Sequence, residues 1–435
     1  MIKSYYLFIL SSLFFYYSNA QIINILDSNL KNRLINEHNI DANGDGEIQI
    51  TEANNYTGII DVRNFDSSNF DNQISDFTGM VFFKNISAFY GSGNDNHYGN
   101  TFDFSNCPNL EILDLSYINY DELIITSSNN IKELNISGYS RSINISSLND
   151  LETLILRHTR FSAIDVSNNL KLKELSIFAS KINSLDLSKN TFLEDLSTGG
   201  APLNRLDITN NSNIKRLEIQ SSNYEDIDLS KNIKLESIAC HGSQILQFDL
   251  SKNINLKTFG CGNNKFTELD LSKNINLERF VSQGNDYLKM INLQNGNNEN
   301  LYFEALRHPV LNKICVDNEV YAKNNFTNID NSDVFNNCSS LSITPNELNT
   351  SKNIQDFNIS PMPLIGGVLE IENRNNKNLI SYDVISLDGR VIQSQTFESN
   401  SFDVVKINIL QISSKIFFLR LFGETGNWVY KIIKQ

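Results

Sequence analysis

The sequence lacks the features of several common classes of protein. Lysine and arginine number 36 against 50 acidic residues, and the formal net charge is −14. Because phosphate binding needs concentrated positive charge, this balance argues against a nucleic-acid partner and against adsorption to anionic lipid. No stretch beyond the N-terminus is long and apolar enough to span a bilayer. We therefore predict no nucleic-acid partner and no membrane span after signal removal.

Catalytic motifs are also missing. The histidines are scattered without metal-ligand spacing, and there is no G-x-S-x-G elbow, P-loop or Walker-type glycine pattern. Carboxylate pairs are too frequent to indicate an acid–base site. We therefore predict that the protein is not an enzyme. A secreted hydrolase with an unrecognised catalytic site stays an alternative.

Cysteine is scarce, and its number is odd. The five cysteines are Cys107, Cys240, Cys261, Cys315 and Cys338. An odd count leaves at least one thiol unpaired, so the chain is not a disulfide-dense scaffold.

The first residues have the organisation of a secretory signal. Lys3 is the positive start, residues 5–17 are apolar and aromatic, and Ser18-Asn19-Ala20 supplies the small residues that a signal peptidase reads. We predict a signal peptide over residues 1–20 and a secreted or outer-cell-surface location. A short membrane anchor is the alternative.

Self-similarity dominates the middle of the chain. Segments that each begin 21 residues after the last start at Leu172, Leu193, Ile214, Leu235, Leu256 and Leu277. Counted from these starts, apolar residues recur at positions 1, 4, 6, 11, 14 and 16, and the alternation at 4 and 6 is typical of a strand. A unit this short cannot bury both faces alone, so stacked units must pair their strands as a parallel sheet over one core.

The pattern resembles the leucine-rich-repeat family, particularly the 21-residue repeats common in exported Bacteroidetes proteins. The L-x-x-L-x-I/L core and the recurring L-D-L-S-K-N carry the resemblance over roughly residues 59–317. It implies a repeat solenoid of short parallel β-strands with a mostly irregular convex side, which we assign to residues 59–314. The family's asparagine at position 9 is kept at Asn264 but is replaced in other repeats by Ser180 or Ala201. We therefore expect more of the backbone hydrogen bonding from the convex asparagine column at position 19, which consists of Asn169, Asn190, Asn211, Asn232, Asn253 and Asn274.

Polar residues form strict columns in the second half of the repeat. Position 15 is aspartate throughout: Asp165, Asp186, Asp207, Asp228, Asp249 and Asp270. The column could be a carboxylate ladder that binds metal, but we expect turn chemistry repeated with the turn. Cys240 and Cys261 share the inward position 6 of neighbouring repeats. We expect buried free thiols there, since adjacent parallel strands rarely give a disulfide its dihedral angle.

A calcium-loop sequence, DANGDGEIQITE, precedes the repeats. Its candidate ligands, at loop positions 1, 3, 5, 7, 9 and 12, are Asp41, Asn43, Asp45, Glu47, Gln49 and Glu52. Glu47 would bind through its carbonyl and Gln49 through water, and Gly46 lies where the backbone turns sharply. The match resembles an EF-hand and implies bound Ca²⁺. Because the loop stands alone, we predict structural calcium in a helical N-terminal cap over residues 21–58; a dockerin and a polar loop without metal are the alternatives.

Beyond the repeats, the stretch from His308 to Cys338 resembles the C-terminal cap of the same bacterial proteins. In that cap a cysteine at the end of the last strand pairs with one about two dozen residues on. The resemblance implies a Cys315–Cys338 disulfide, within a cap over residues 315–340. The polar, turn-rich residues 341–356 are predicted to be a linker.

The last 79 residues contain short strand-like runs separated by turn signals, which predicts a C-terminal antiparallel β-sandwich. Three segments resemble the C-terminal sorting domain of the type IX secretion system: Ile359-Ser360-Pro361-Met362-Pro363, ISYDVISLDGRVIQSQ and the ending NWVYKIIKQ. The resemblance implies that residues 357–435 engage the type IX secretion machinery. An immunoglobulin-like binding module is the alternative.

Recognition in a solenoid of this kind is expected at the outward positions 3, 5 and 7 of the concave sheet. Our candidate binding residues are Arg157, Phe178, Arg216, Glu218, Gln220 and His241. Such a surface suits a protein or glycan ligand, although variable solvated positions would look the same. We therefore predict a secreted or cell-surface binding and adhesion protein. A purely structural surface-layer component is a further alternative.

Overall fold

The protein is described by a computed structural model with two compact units, Met1–Asn337 and Cys338–Gln435. The structure describes residues 21–64, 72–94, 101–126, 128–138, 143–330, 334–336, 357–360, 368–373, 379–386, 391–396, 404–409, 416–423 and 426–433. The predicted signal peptide (1–20) and linker (341–356) lie outside these residues. Within them, no helix is both long and apolar enough to cross a membrane.

In its described residues, the first unit contains short strands and three α-helices. The helices are α1 (Ser28–Asn36), α2 (Ile50–Asn55) and α3 (Glu319–Asn325). The strands are β1 (Ile59–Asp61), β2 (Ala88–Tyr90), β3 (Thr101–Asp103), β4 (Ile112–Asp114), β5 (Glu122–Ile124), β6 (Glu133–Asn135), β7 (Thr153–Ile155), β8 (Glu174–Ser176), β9 (Asp195–Ser197), β10 (Arg216–Glu218), β11 (Ser237–Ala239), β12 (Thr258–Gly260), β13 (Glu268–Asp270), β14 (Arg279–Gln283), β15 (Met290–Asn292), β16 (Tyr302–Leu306), β17 (Lys313–Cys315), β18 (Asn328–Ile329) and β19 (Phe335–Asn336).

One long parallel sheet runs through the first unit and confirms the predicted leucine-rich-repeat solenoid. Its order is β1-β2-β4-β6-β7-β8-β9-β10-β11-β12-β14-β16-β18, which takes one strand from each successive repeat. The register joins equal repeat positions, so that Glu174 lies opposite Asp195 and Leu175 opposite Leu196. Two smaller parallel sheets, β13-β15-β17-β19 and β3-β5, lie elsewhere in the turns.

The predicted apolar positions form a single continuous core. Leu172, Leu175, Ile177, Ile182 and Leu187, at positions 1, 4, 6, 11 and 16, are all buried. Position 14 varies between repeats: Leu206, Ile227 and Leu269 are buried, whereas Leu185 packs against the core while staying partly exposed. The core therefore rests on the other five positions, and position 14 lies at its edge.

The convex asparagine column satisfies the backbone, as expected. The side-chain amide of Asn211 donates to the carbonyls of Leu187 and Asn190, at 3.0 and 2.8 Å. Equivalent pairs of bonds recur in neighbouring repeats, and these asparagines are fully buried. Each amide thus joins its own turn to the previous one and supplies a donor to carbonyls that water cannot reach.

Position 8 of the repeat adopts the left-handed conformation whatever residue occupies it. In the repeats that start between Leu110 and Leu277, every residue at this position has a positive φ: Tyr117, Gly138, His158, Ala179, Gly200, Ser221, Gly242, Asn263 and Gly284. The N–H of Ala179 donates to the carbonyl of Gly199 at 2.7 Å. The left-handed residue therefore extends the backbone hydrogen bonding between repeats beyond the end of each strand, at the point where the chain leaves the sheet.

Cys107, Cys240 and Cys261 are free and buried, which confirms the free thiols expected at Cys240 and Cys261. Burial raises the pKa of Cys261 to about 12 and that of Cys107 to about 11, so both stay protonated and unreactive near neutral pH. Cys315 is disulfide-bonded. Its predicted partner Cys338 lies outside the described residues, and that pairing stays a prediction.

The second unit is an antiparallel β-sandwich, as predicted. Its strands are β20 (Phe357–Ser360), β21 (Val368–Asn373), β22 (Leu379–Ser386), β23 (Val391–Thr396), β24 (Val404–Asn408), β25 (Ile416–Gly423) and β26 (Gly426–Ile433). They form two sheets, β20-β21-β24 and β23-β22-β25-β26. Both sheets contribute to one core, with Leu369 and Ile371 from the first and Val384, Leu419 and Ile432 from the second.

Candidate binding surface and calcium loop

The calcium-loop segment folds around the carboxylate of Asp41. This carboxylate accepts hydrogen bonds from the backbone N–H groups of Gly44 and Gly46, each at 2.8 Å, and from Asp45 at 3.2 Å. Gly46 has φ of 79°, a conformation in which a glycine is favoured. The backbone therefore turns at the place where the sequence pattern predicts a turn.

The other acidic side chains of the loop are held inside it. The Asp45 carboxylate accepts from the side-chain amides of Asn43 and Gln49, at 3.1 and 2.9 Å. The backbone N–H of Glu47 is the largest of the influences that lower the pKa of Asp45. Glu52 accepts from the backbone N–H of Ala42 at 2.8 Å, which ties the last loop position to the second.

These residues have the donor chemistry of a calcium site. The set consists of carboxylate, amide and carbonyl oxygens, which hard cations prefer. Asn43 and Gln49 turn amide nitrogens toward Asp45, and a rotation of each amide would present oxygen to a cation instead. Among the described residues, however, no three His, Cys, Asp or Glu side chains are gathered closely enough to hold a metal ion. The oxygen donors and the backbone turn of the loop suit a calcium ion. In this structure, however, the side chains of the loop are hydrogen-bonded to one another.

The loop pairs with the N-terminal segment of the chain. The N–H of Ile23 donates to the carbonyl of Ile48 at 2.8 Å, and the N–H of Ile50 donates to Gln21 at 2.9 Å. Before the loop, Asp27 caps helix α1 by accepting from the N–H groups of Asn29 and Leu30. Helix α2 begins within the loop, at Ile50, and has only six residues. The segment is therefore a single loop built into the cap.

The position-15 aspartates are engaged in turns. The carboxylate of Asp186 accepts from the N–H of Ser188 at 2.9 Å, and Asp228 accepts from Ser230 at 2.8 Å. Hydrogen bonds to the serine, led by its backbone N–H, lower the pKa of Asp186. The column thus stabilises the repeated turn, in agreement with the architectural interpretation.

The six candidate binding residues lie on the outward side of the long sheet or immediately beyond its strands. Arg216 and Glu218 are the exposed ends of β10. The other four occupy position 7, just after a strand: Arg157 is exposed, whereas Phe178, Gln220 and His241 are half-buried. The set therefore divides into a charged part near β10 and a row along one rim of the sheet.

The charged part is a cluster that spans four neighbouring strands. Arg157 Nε donates to Ser176 Oγ at 3.0 Å, Ser197 Oγ donates to Glu218 at 3.0 Å, and Arg216 forms an ion pair with Asp195. Glu174 and Asp195 lie opposite each other in the register, and burial raises the pKa of both carboxyls. Glu174 and Asp195 were missed in the sequence analysis. Both occupy outward position 3, so a strict application of the repeat register would have found them.

The rim carries two aromatic side chains that lie over glycines of the next repeat. A Cβ on Gly199 would meet the ring of Phe178 at 3.0 Å, and one on Gly260 would meet His241 Nε2 at 2.6 Å. The N–H of Gly262 donates to His241 Nδ1 at 3.0 Å. The imidazole is therefore fixed in position, and burial lowers its pKa. The three glycines were missed, because their role depends on a residue one repeat earlier.

Comparison with known proteins gives similarity of structure alone. No family model matches the sequence, and no curated protein matches it. The functional domain of InlJ from Listeria monocytogenes, described as including a cysteine ladder, is 16% identical with a TM-score of 0.47, covering 89% of this chain and 93% of that one. The APL1 leucine-rich repeat domain is 18% identical with a TM-score of 0.39, covering 56% and 71%. The ectodomain of the receptor kinase GASSHO1/SCHENGEN3 from Arabidopsis thaliana, in complex with CASPARIAN STRIP INTEGRITY FACTOR 2, is 15% identical with a TM-score of 0.39, covering 60% and 41%.

Proposed function

We propose that the protein is a secreted or cell-surface binding and adhesion protein without enzymatic activity, and that the outward face of the long sheet holds the ligand. The charged cluster of Arg157, Glu174, Asp195, Arg216 and Glu218 carries this proposal. Charged and polar side chains that converge on one exposed sheet can recognise a protein or a glycan. The position-15 aspartates and the convex asparagines already form hydrogen bonds within and between the turns. The outward face of the sheet is therefore the surface whose residues vary between repeats.

A binding screen tests the proposal. The chain from residue 21 onward is applied to arrays of extracellular proteins and glycans, beside a variant with Arg216→Ala and Glu218→Ala. Because both side chains are exposed, the variant should keep its fold while binding to the identified ligand falls at least about tenfold, as for loss of one interfacial hot spot. Lys189→Ala, which removes a charge from a convex turn, is the matched control. Unchanged binding by the double variant would remove the sheet face from the proposal.

We further propose export by the type IX secretion machinery through residues 357–435. The three sequence segments described above support this assignment, and the unit in which they lie forms a sandwich of its own. Removal of residues 357–435 should leave the remainder in the periplasm, whereas the full chain reaches the cell surface or the medium. Fractionation with antibodies against the solenoid measures this. Surface display of the shortened chain would argue for a binding module instead.

We also propose that Asp41, Asn43, Asp45, Glu47, Gln49 and Glu52 bind structural Ca²⁺. A ligand that binds only the folded state raises the unfolding temperature in proportion to the logarithm of its concentration. Calcium should therefore raise the unfolding temperature of the wild type but not that of Asp41→Ala plus Asp45→Ala. Glu37→Ala, in the same cap but outside the loop, is the control and should respond as the wild type does. Equal calorimetric heats of calcium addition for the wild type and the double variant would exclude the site.

A further inference from the structure

A recess of about 160 Å³ lies on the outward face of strands β11, β12 and β14. Its floor is made of small residues, because the register sets Ser237 opposite Thr258 and Ala239 opposite Gly260. Larger side chains stand on either side of it, with the charged cluster at β10 and Arg279 on β14. The recess is therefore a step down in the sheet surface, with hydroxyl groups and backbone at its base.

His241 presents a hydrogen-bond donor to this recess. Its Nδ1 accepts from the N–H of Gly262, which as a donor can meet only an unprotonated ring nitrogen. The neutral ring then carries its proton on Nε2, and Nε2 lies directly above Gly260. Any side chain at residue 260 would displace the ring, so the glycine keeps both the donor and the recess open.

Arg279 supplies positive charge at the opposite side. Its guanidinium lies 4.4 Å from the ring centroid of Tyr302 on the next strand, which holds it by a cation–π contact. In the described part of the chain Arg279 forms no ion pair, whereas Arg216 is paired with Asp195. A chain with a net charge of −14 thus keeps an uncompensated guanidinium beside the imidazole donor, over hydroxyl groups that can donate as well.

We propose that this recess binds the carboxylate-bearing sugar of an acidic glycan, with Arg279 and His241 Nε2 as donors to the carboxylate. The proposal rests on the function proposed above and names the ligand class. A guanidinium can bind both oxygens of a carboxylate, and the flat floor of Ala239 and Gly260 leaves space for a sugar ring. An acidic peptide would offer the same charge, but its extended backbone would find no free strand edge on a sheet face.

Titration with tetragalacturonate tests the ligand class, and the fully methyl-esterified tetramer is the matched ligand control. The wild type should bind the acid at least tenfold more tightly than the ester, which has the same sugar rings without charge. Arg279→Gln and Gly260→Ala should each weaken binding at least tenfold, the first by loss of charge and the second by displacement of His241. Arg205→Ala removes an exposed positive charge outside the recess and should leave the affinity unchanged. Circular dichroism checks that each variant is folded.

Three outcomes would overturn the proposal. The ester could bind as tightly as the acid, folded Arg279→Gln could bind as tightly as the wild type, or a tetraglutamate peptide could bind as tightly as tetragalacturonate. These outcomes are distinct from failure of the proposed function. A protein that ignores tetragalacturonate but loses another ligand on Arg216→Ala plus Glu218→Ala would still bind through the sheet face.

Discussion

At the scale of single residues, the left-handed position 8 shows the backbone imposing a conformation on side chains that disfavour it. Glycine occupies the position in some repeats, but Ala179 and Ser221 adopt φ of 54° there all the same. Each is held by an N–H bond to the next repeat, as in the 2.7 Å bond from Ser221 to the carbonyl of His241. The left-handed backbone strain at position 8 thus persists because each repeat is packed between two neighbouring repeats.

The first prediction concerns this strain. Ala179→Gly should raise the free energy of unfolding by about 0.5–1 kcal/mol, because relief of the left-handed strain exceeds the entropy cost of glycine. Gly200→Ala, at φ of 70°, should lower it by about 1 kcal/mol. Urea denaturation followed by circular dichroism measures both. Ala239→Gly, in a strand with ordinary φ, is the control and should destabilise. The same sign for both alanine-to-glycine changes would contradict the argument.

His308 is a buried imidazole near the end of the solenoid. Its Nδ1 accepts from the N–H of Asn285 at 3.1 Å, and its Nε2 lies 3.2 Å from the carbonyl of Ser282. Desolvation is the largest influence on its pKa and lowers it, although Asp330 and Asp286 act in the opposite direction. The folded state therefore favours the neutral ring more than the unfolded state does.

The sign of the pH effect follows from that shift. Above the unfolded pKa of about 6.5 the stabilisation is complete. As the pH falls below it, the unfolded chain takes up the proton first, and stability declines until the folded pKa is passed. Urea midpoints measured between pH 7.5 and 5.5 should therefore fall, and His308→Gln should show a smaller fall, to which His241, whose pKa burial also lowers, still contributes. The aspartates with lowered pKa, such as Asp186, act only in more acidic solution. An equal fall in wild type and variant would exclude His308 as the cause.

At the scale of the element, two asparagines, Asn211 and Asn213, stabilise the same turn through different hydrogen bonds. Asn211 is buried and donates to two carbonyls, whereas Asn213 is exposed and donates to one, the carbonyl of Thr191, at 2.8 Å. The residues stand two apart in one turn, so each serves as a control for the other. Asn213 also accepts a hydrogen bond from Lys234 Nζ at 2.8 Å. The difference between the two asparagines therefore reports mainly on burial.

Alanine substitution of Asn211 and of Asn213 should therefore destabilise the protein to different extents. Asn211→Ala should lower the free energy of unfolding by about 2 kcal/mol, because two buried hydrogen bonds of about 1 kcal/mol each are lost where water cannot replace them. A backbone N–H still donates to each of the two carbonyls, so neither is left without a partner. Asn213→Ala should cost below about 1 kcal/mol, since water replaces its exposed bond. Urea denaturation of both variants gives the comparison. Equal losses would show that the buried column has no special part in stability.

Elements were predicted more completely than the contacts between them. Apolar alternation is a local property, so periodicity located the repeat strands. The strand-like runs over residues 368–371, 380–386, 390–395, 404–409, 416–422 and 428–433 likewise located the six longer strands of the sandwich. Strand β20 was missed, since four residues beginning at Phe357 carry too little pattern. At the candidate site the register placed Arg216 and His241 on the outward side. The recess beside Gly260 could not be predicted, because it depends on a ring that leans over from the preceding repeat.

At the scale of the whole solenoid, the charges at position 2 alternate along the stack. The column reads Glu111, Lys132, Glu152, Lys173, Glu194, Lys215, Glu236, Lys257 and Glu278. Each lysine that follows a glutamate forms an ion pair with it, as in Lys215–Glu194 at 2.7 Å and Lys257–Glu236 at 2.8 Å. The electrostatic period is therefore two repeats, although the structural period is one. If one repeat were skipped in the stacking order, like charges would become neighbours along the column.

Exchange of charges within one pair tests whether the column acts as a continuous ladder. Glu194→Lys plus Lys215→Glu keeps that ion pair but sets like charges against Lys173 on one side and Glu236 on the other. If the ladder is continuous, the exchange should lower the free energy of unfolding by about 0.5–1 kcal/mol at low salt, since exposed charges interact weakly. At about 1 M salt, screening should remove the loss.

The Lys171–Asp150 pair, which lies outside the column, is the matched control for this exchange. Asp150→Lys plus Lys171→Asp reverses an ion pair without breaking the position-2 alternation, so the unfolding midpoint should hardly change. A ladder exchange as neutral as this control would mean that the pairs act singly. A salt-sensitive loss confined to residues 194 and 215 would instead mean that the charges encode the stacking order, which the apolar core, nearly identical in every repeat, cannot specify by itself.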